Sequence, residues 1–212
     1  MNDFTEIDAP YWQDAPTFVI GGGSSLTDFP FNVLRERGYS IGVNFAGLRL
    51  DTDVCFTLDH GFPVKFESEI QAYIARGGEM WIAQSPSRKP GQVESAQYLQ
   101  RRQGDLASHP REVFGSNSGF GAINFAVHKQ SSEIYLLGFD MSPGANATHW
   151  HDAYGGSPCA YGRWLKEFKR AAPHLERRGV KVVNVIGDPA SAIDVFPTMT
   201  QTEFLRAFEK DA

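Results

Sequence analysis

The stretch Phe18-Val-Ile-Gly-Gly-Gly-Ser-Ser-Leu26 decides how the rest of the chain is read. A short apolar run that breaks into glycines and serines reads as a buried strand followed by a turn rich in backbone N–H groups. Glycine lets the chain turn tightly and approach a ligand closely, and amides at a following helix start favour an anion. The order Gly21-Gly-Gly-Ser-Ser-Leu26 fits neither the dinucleotide fingerprint, whose third glycine is missing, nor a P-loop, whose Gly-Lys-Ser/Thr is missing. By itself the stretch is equally compatible with a plain strand-to-helix turn.

Outward from it, short apolar runs alternate with helix-like segments, the pattern of a mostly parallel sheet. Strands are predicted at 17–20, 40–43, 54–58, 80–83, 133–137 and 181–185, and helices at 31–37, 64–76, 119–129, 161–178 and 201–210. Gly38, Gly77 and Gly179 stand where helices should stop. The expected fold class is α/β: a single Rossmann-like three-layer domain over 1–212, with its core at 17–197. Two stretches interrupt the alternation and are expected to be functional loops or insertions. Residues 84–115 contain Pro86, Pro90 and Pro110 and suggest a loop with an inserted helix near 93–102. Residues 141–160 are rich in glycine and carry His149-Trp-His-Asp152.

The 212 residues suffice for one sizeable core, and 42% hydrophobic with 21% charged residues is an ordinary globular balance. No segment approaches the length of a membrane span, and the polar start does not resemble a signal peptide. Cys55 and Cys159 make neither a disulfide framework nor a Cys-x-x-Cys metal pair, so a reducing, cytoplasmic location is expected. A net charge of -5 argues against bulk capture of nucleic acid. Arg88-Lys89 and Arg101-Arg102 read as solvated surface, with contact to a polyanionic substrate as the alternative. A homo-oligomer is left open.

In an open parallel sheet, ligands bind beyond the carboxyl ends of the strands. The residues there are polar: Gly21, Gly22, Gly23, Ser24 and Ser25; Asn44; Asp59 and His60; Ser116, Asn117, Ser118 and Gly119; Asp140; Gly187 and Asp188. Asn44 could donate and accept toward a base or ribose, or simply form a turn. Ser116-Asn-Ser-Gly119 opens a helix where hydroxyls, an amide and orphan N–H groups could face one anion, and N-capping accounts for one of them. His149 and His151 are candidate general bases, although alternation on an extended loop lets only one reach a substrate. Asp140 and Asp152 are the carboxylates expected to orient that histidine. No resident metal is expected: Asp51-Thr-Asp53 precedes a strand instead of following one, and two histidines with Asp152 lack the further ligands of a zinc set.

These positions resemble a family. Phe18–Leu26, Val43-Asn44, the segment Asn117-Ser-Gly-Phe-Gly-Ala-Ile-Asn-Phe-Ala-Val, and Glu133-Ile-Tyr-Leu-Leu-Gly-Phe-Asp140 are similar to the bacterial sialyltransferases that use CMP-sialic acid. They are similar also to the related MptE-like domains of the pterin diphosphokinases. The likeness runs from Phe18 to about Pro197 and fits a small phage-encoded member, whose location would be the host cytoplasm. It implies a nucleotide cradle at Gly21, Gly23, Ser25, Asn44, Ser118 and Gly119, with a histidine near the acceptor. In two places the chain departs from the pattern. Gly22 stands where the family often has asparagine, and Tyr154 and Tyr161 are only candidates for the tyrosines that assist phosphate departure.

The expected function is a nucleotide-dependent transferase, foremost a glycosyltransferase that uses a CMP-sugar or another nucleotide sugar with a histidine base. One alternative is pyrophosphate transfer from ATP, which would require Mg²⁺ on carboxylates such as Asp59, Asp140 or Asp188. Another is a nucleotide-binding module without catalysis. The base, the transferred group and the acceptor are not legible.

Overall fold

A computed structural model describes residues 4–88, 93–141, 161–188 and 190–209. Among them, nine strands form one sheet: β1 (Thr17–Ile20), β2 (Tyr39–Val43), β3 (Val54–Thr57), β4 (Glu79–Gln84), β5 (Gln97–Arg102), β6 (Glu112–Phe114), β7 (Glu133–Leu137), β8 (Lys181–Ile186) and β9 (Thr198–Thr200). The order is β6-β5-β4-β3-β2-β1-β7-β8-β9, and every neighbouring pair is parallel. The helices are α1 (Phe45–Leu50), α2 (Gly61–Lys65), α3 (Glu67–Ala75), α4 (Ser118–His128), α5 (Tyr161–Arg177) and α6 (Gln201–Phe208). This is the α/β, Rossmann-like three-layer arrangement expected from the alternation.

Side-chain alternation builds the layers. Val19 of β1 points to one face, where it joins Phe120 and Phe125 of α4 and Phe168 and Leu175 of α5. Phe18 and Ile20 point to the other, against Leu26, Leu34 and Phe204 of α6. Farther along that second face, Cys55, Met80 and Ile82 meet Phe62, Ile70 and Tyr73 from α2 and α3. Both faces are covered, which is why the central strands read as continuous apolar runs instead of alternating ones.

The chain leaves β1 toward β2 on one side and later returns to β7 on the other. The strand order therefore reverses at β1, and the crevice outside the carboxyl ends of β1 and β7 is where such a sheet binds its ligand. The glycine turn leaves β1 at that point.

Three local expectations are corrected. The stretch expected to be an inserted helix near 93–102 contains β5, because Tyr98 and Leu99 bury on opposite faces and the ladder to β4 outweighs the polar composition. The helix expected at 31–37 is a 3-10 turn, Phe31–Leu34, stopped by extended Arg35 and by Glu36 at φ 60. The helix expected at 64–76 is broken into α2 and α3 at Phe66, whose φ of -122 is not helical. Helix α1, β6 and β9 are additional, each too short to show a period.

Candidate functional site

The glycine turn extends the sheet before it turns away. Gly21 N donates to Leu137 O at 2.8 Å, and Gly23 N to Gly138 O at 2.9 Å, continuing the β1–β7 ladder past the strand ends. Those two amides are spent. The amide of Gly22, between them, and that of Ser24, which opens a 3-10 turn, have no hydrogen-bond partner among the described residues, and alternation turns Gly22 N away from β7. The glycines are demanded by their neighbours more than by a ligand. A Cβ on Gly21 would lie 2.7 Å from Gly138 O, and one on Gly23 would lie 2.6 Å from the Asp140 carboxyl group. Gly138 itself has φ +69, the left-handed region that glycine tolerates best.

Asp140 clamps the turn from the β7 side. It is buried and accepts from Ser25 twice: the backbone N–H at 2.9 Å on Oδ2 and the hydroxyl on Oδ1. Both carboxylate oxygens thus hold the turn. His149, His151 and Asp152, and also Tyr154, lie outside the described residues. Tyr161 opens α5 and packs edge-on against Trp164.

Asn44 sits between β2 and α1 with φ 55, a conformation asparagine accepts more readily than most residues. Its Oδ1 accepts from the Thr57 hydroxyl at 2.7 Å, and Thr57 Oγ1 in turn accepts from Asp59 N at 3.0 Å. This relay sets the amide: the oxygen is occupied, so Nδ2 is the end left to donate. Asp59 is exposed, and its Oδ1 accepts from Gly61 N at 2.8 Å, forming the turn into α2. Thr57 was not singled out in the sequence, where it reads as an ordinary strand residue.

At α4 the three polar residues have separate tasks. Asn117 is the N-cap, its Oδ1 accepting from Phe120 N at 2.8 Å. Ser118 Oγ accepts from Leu58 N at 2.9 Å and ties the helix start to the end of β3. The Ser116 hydroxyl is buried with no partner among the described residues. Gly119 lies against the Phe139 ring, leaving no room for a side chain. Glu167 of α5, only 5% exposed, accepts from Ser116 N at 3.0 Å and from Asn117 Nδ2 at 3.2 Å, both on Oε2. A carboxylate on the buried stripe of Phe168, Ala171 and Leu175 was the available signal for such an anchor.

The other acidic candidates are placed differently. Asp53 accepts from Ser40 N and Oγ, both at 2.7 Å, and Asp51 pairs with Arg76, so both serve the amino end of β3. Asp188 is exposed after β8. Among the described residues there is no group of three or more His, Cys, Asp or Glu side chains suited to a metal ion. His60 is held below the usual histidine range by burial and by Arg88 and Arg101, with Asp59 opposing.

The carboxyl edge therefore brings together two open amides, one oriented Asn amide and a helix start, grouped about the reversal in strand order. No protein-family model matches the chain, and no curated protein matches it. A solved structure does: the sialyltransferase CstII from Campylobacter jejuni, in complex with a substrate analogue, CMP-3FNeuAc. The match covers 87% of this chain and 86% of that one, with TM-score 0.52 and 13% identity. The chain has a sialyltransferase-like fold. At that identity the likeness speaks for the fold, and residue roles rest on geometry. It bears on the sialyltransferase half of the expected resemblance and not on the pterin-kinase or phage half. No helix among the described residues is long and apolar enough to cross a membrane.

Proposed function

We propose that the chain is a nucleotide-dependent transferase that moves a sugar from a nucleotide-activated donor, with a CMP-sugar as the first candidate. The observation that carries the reading is the convergence of the Gly22 and Ser24 amides, Asn44 Nδ2 and the start of α4 at the switch point. The amides and the helix start hold the donor phosphate. Asn44 Nδ2 orients the nucleoside. His149 or His151 takes the proton of the acceptor hydroxyl. The fold shared with a sialyltransferase in complex with the substrate analogue CMP-3FNeuAc supports the donor class.

Calorimetric titration with CMP and CMP-3FNeuAc, with and without Mg²⁺, tests the reading. Binding of the analogue without metal is the expected result. Failure of both ligands, together with Mg²⁺-dependent binding of ATP, would replace this reading by pyrophosphate transfer. Replacing His149 or His151 by Ala should lower turnover by about 10²–10⁴ while donor binding persists. Full turnover in both single variants removes the histidine base. Nucleotide binding with no turnover of any donor would make the chain a binding module.

A further inference from the structure

Arg101, the last residue but one of β5, has an unusual setting for an arginine. Its Nε donates to Gly115 O at 3.0 Å, fastening the guanidinium beside the residue that leads into Ser116 and α4. Among the described residues, its two Nη groups have no hydrogen-bond partner and no carboxylate within ion-pair distance. The next residue shows the contrast: Arg102 pairs with Glu112 at 3.1 Å and also bonds Gln100.

The surroundings of Arg101 are cationic. Arg88, which follows β4, and Arg101 both act electrostatically on His60, and Arg163 of α5 acts on Arg101. The ends of β3, β4 and β5 are neighbours in the sheet, which brings His60, Arg88 and Arg101 to one edge. Arg163 stands one turn before Glu167, which holds Ser116 N next to the Gly115 that Arg101 bonds. Two acids lie nearby and offset part of this charge: Glu167 Oε2 takes Ser116 N and Asn117 Nδ2, and Asp59 Oδ1 takes Gly61 N, and among the described residues neither makes an ion pair with the arginines. Burial already pulls Arg101 below the ordinary arginine range, with Arg163 adding to this and Glu167 opposing. The half-buried Arg101, beside the exposed Arg88 and Arg163, makes this edge locally cationic in a chain of net charge -5, which favours an anion there. A further polar atom beside the place, Ser116 Oγ, is buried with no partner among the described residues. A buried hydroxyl in that condition calls for an explanation, and a bound ion or water supplies one.

We propose that Arg101, with Arg88, Arg163 and His60, forms an anion subsite beside the nucleotide cradle that takes a carboxylate or phosphate group of the second substrate. The planar fork of Arg101, held through Nε and open at both Nη groups, suits two-point recognition of such a group. The assignment to a second substrate rests on the transferase reading, whereas anion binding itself does not.

Inorganic phosphate is the probe, titrated calorimetrically into the wild-type chain and into Arg101→Gln. Phosphate should bind the wild type and weaken by about tenfold or more in Arg101→Gln, with CMP affinity unchanged. It should still bind when CMP is saturating. Equal phosphate affinity in both proteins overturns the subsite. Full displacement by CMP overturns it also, since the ion would then occupy the donor phosphate position. Displacement by CMP-3FNeuAc but not by CMP moves the anion to the donor sugar and overturns the second-substrate assignment. Should Arg101→Gln fail to fold by circular dichroism, Arg101→Lys and the double variant Arg88→Gln/Arg163→Gln apply the same criterion. Phosphate binding without any CMP binding would leave the subsite standing and remove the transferase reading.

Discussion

Ser25 gives both its backbone N–H and its hydroxyl to the carboxylate of Asp140, joining the turn after β1 to the turn after β7 across 115 residues of sequence. The amides of Gly22 and Ser24 owe their position to this clamp. Asp140→Asn keeps the shape but removes the charge that strengthens both bonds, leaving one accepting oxygen for Ser25 N while the hydroxyl turns to accept from the amide. Loss of about 1–3 kcal/mol is expected, read as a lower urea midpoint, together with weaker CMP binding. An unchanged midpoint and unchanged affinity would show that the clamp does not set the turn.

Thr57 is expected to matter to binding without touching the ligand. Thr57→Val is nearly isosteric and removes the hydroxyl that occupies Asn44 Oδ1. CMP affinity should fall by about three- to tenfold, the worth of one hydrogen bond. Asn44→Gly tests the amide itself, because glycine tolerates φ 55 where alanine would add strain. It should weaken CMP at least as much as Thr57→Val. CMP binding as tight as the wild type in Asn44→Gly would take Asn44 out of the site.

Two histidines make stability depend on pH. His60 is lowered from 6.5 by burial, Arg88 and Arg101; His128 is lowered by burial foremost, against the favourable bond between its ring and Glu112 O. A histidine whose folded pKa lies below its unfolded value binds fewer protons when folded. Its stabilising contribution is complete above pH 6.5 and is lost as the pH falls through that value toward the folded pKa. In phosphate-free buffer, the loss of stability between about pH 7 and 5 should be smaller in His60→Gln and His128→Gln than in the wild type. A loss of the same size in all three proteins would contradict this.

Gly119 and Gly162 should respond oppositely to alanine. A Cβ on Gly119 would press into the Phe139 ring, whereas one on Gly162 meets nothing within 4 Å among the described residues. Gly119→Ala is expected to cost about 1–3 kcal/mol through overpacking and to disturb the start of α4. Gly162→Ala, on an exposed part of α5, should gain about 0.5–1 kcal/mol from helix propensity. Thermal unfolding of the two variants reads both signs.

Strands β1, β3, β7 and β8 were legible because both of their faces are covered and most of their residues are apolar. Strand β5 was not, since Gln97, Gln100, Arg101 and Arg102 carry no apolar period and only the ladder between β4 and β6 makes them a strand. At the site, residue identity pointed to the glycine turn, Asn44 and Asn117. It did not say which groups are already in use.

From residue order and polarity alone came an α/β sheet and the set of polar strand ends, because burial of apolar runs and glycine turns are local properties of the chain. The partners of those strand ends came from the fold. The Asp140 carboxylate holds Ser25, and the amides of Gly21 and Gly23 extend the β1–β7 ladder. Hydrogen-bond partners 60 to 115 residues apart are set by strand order and register, which no local window of sequence contains.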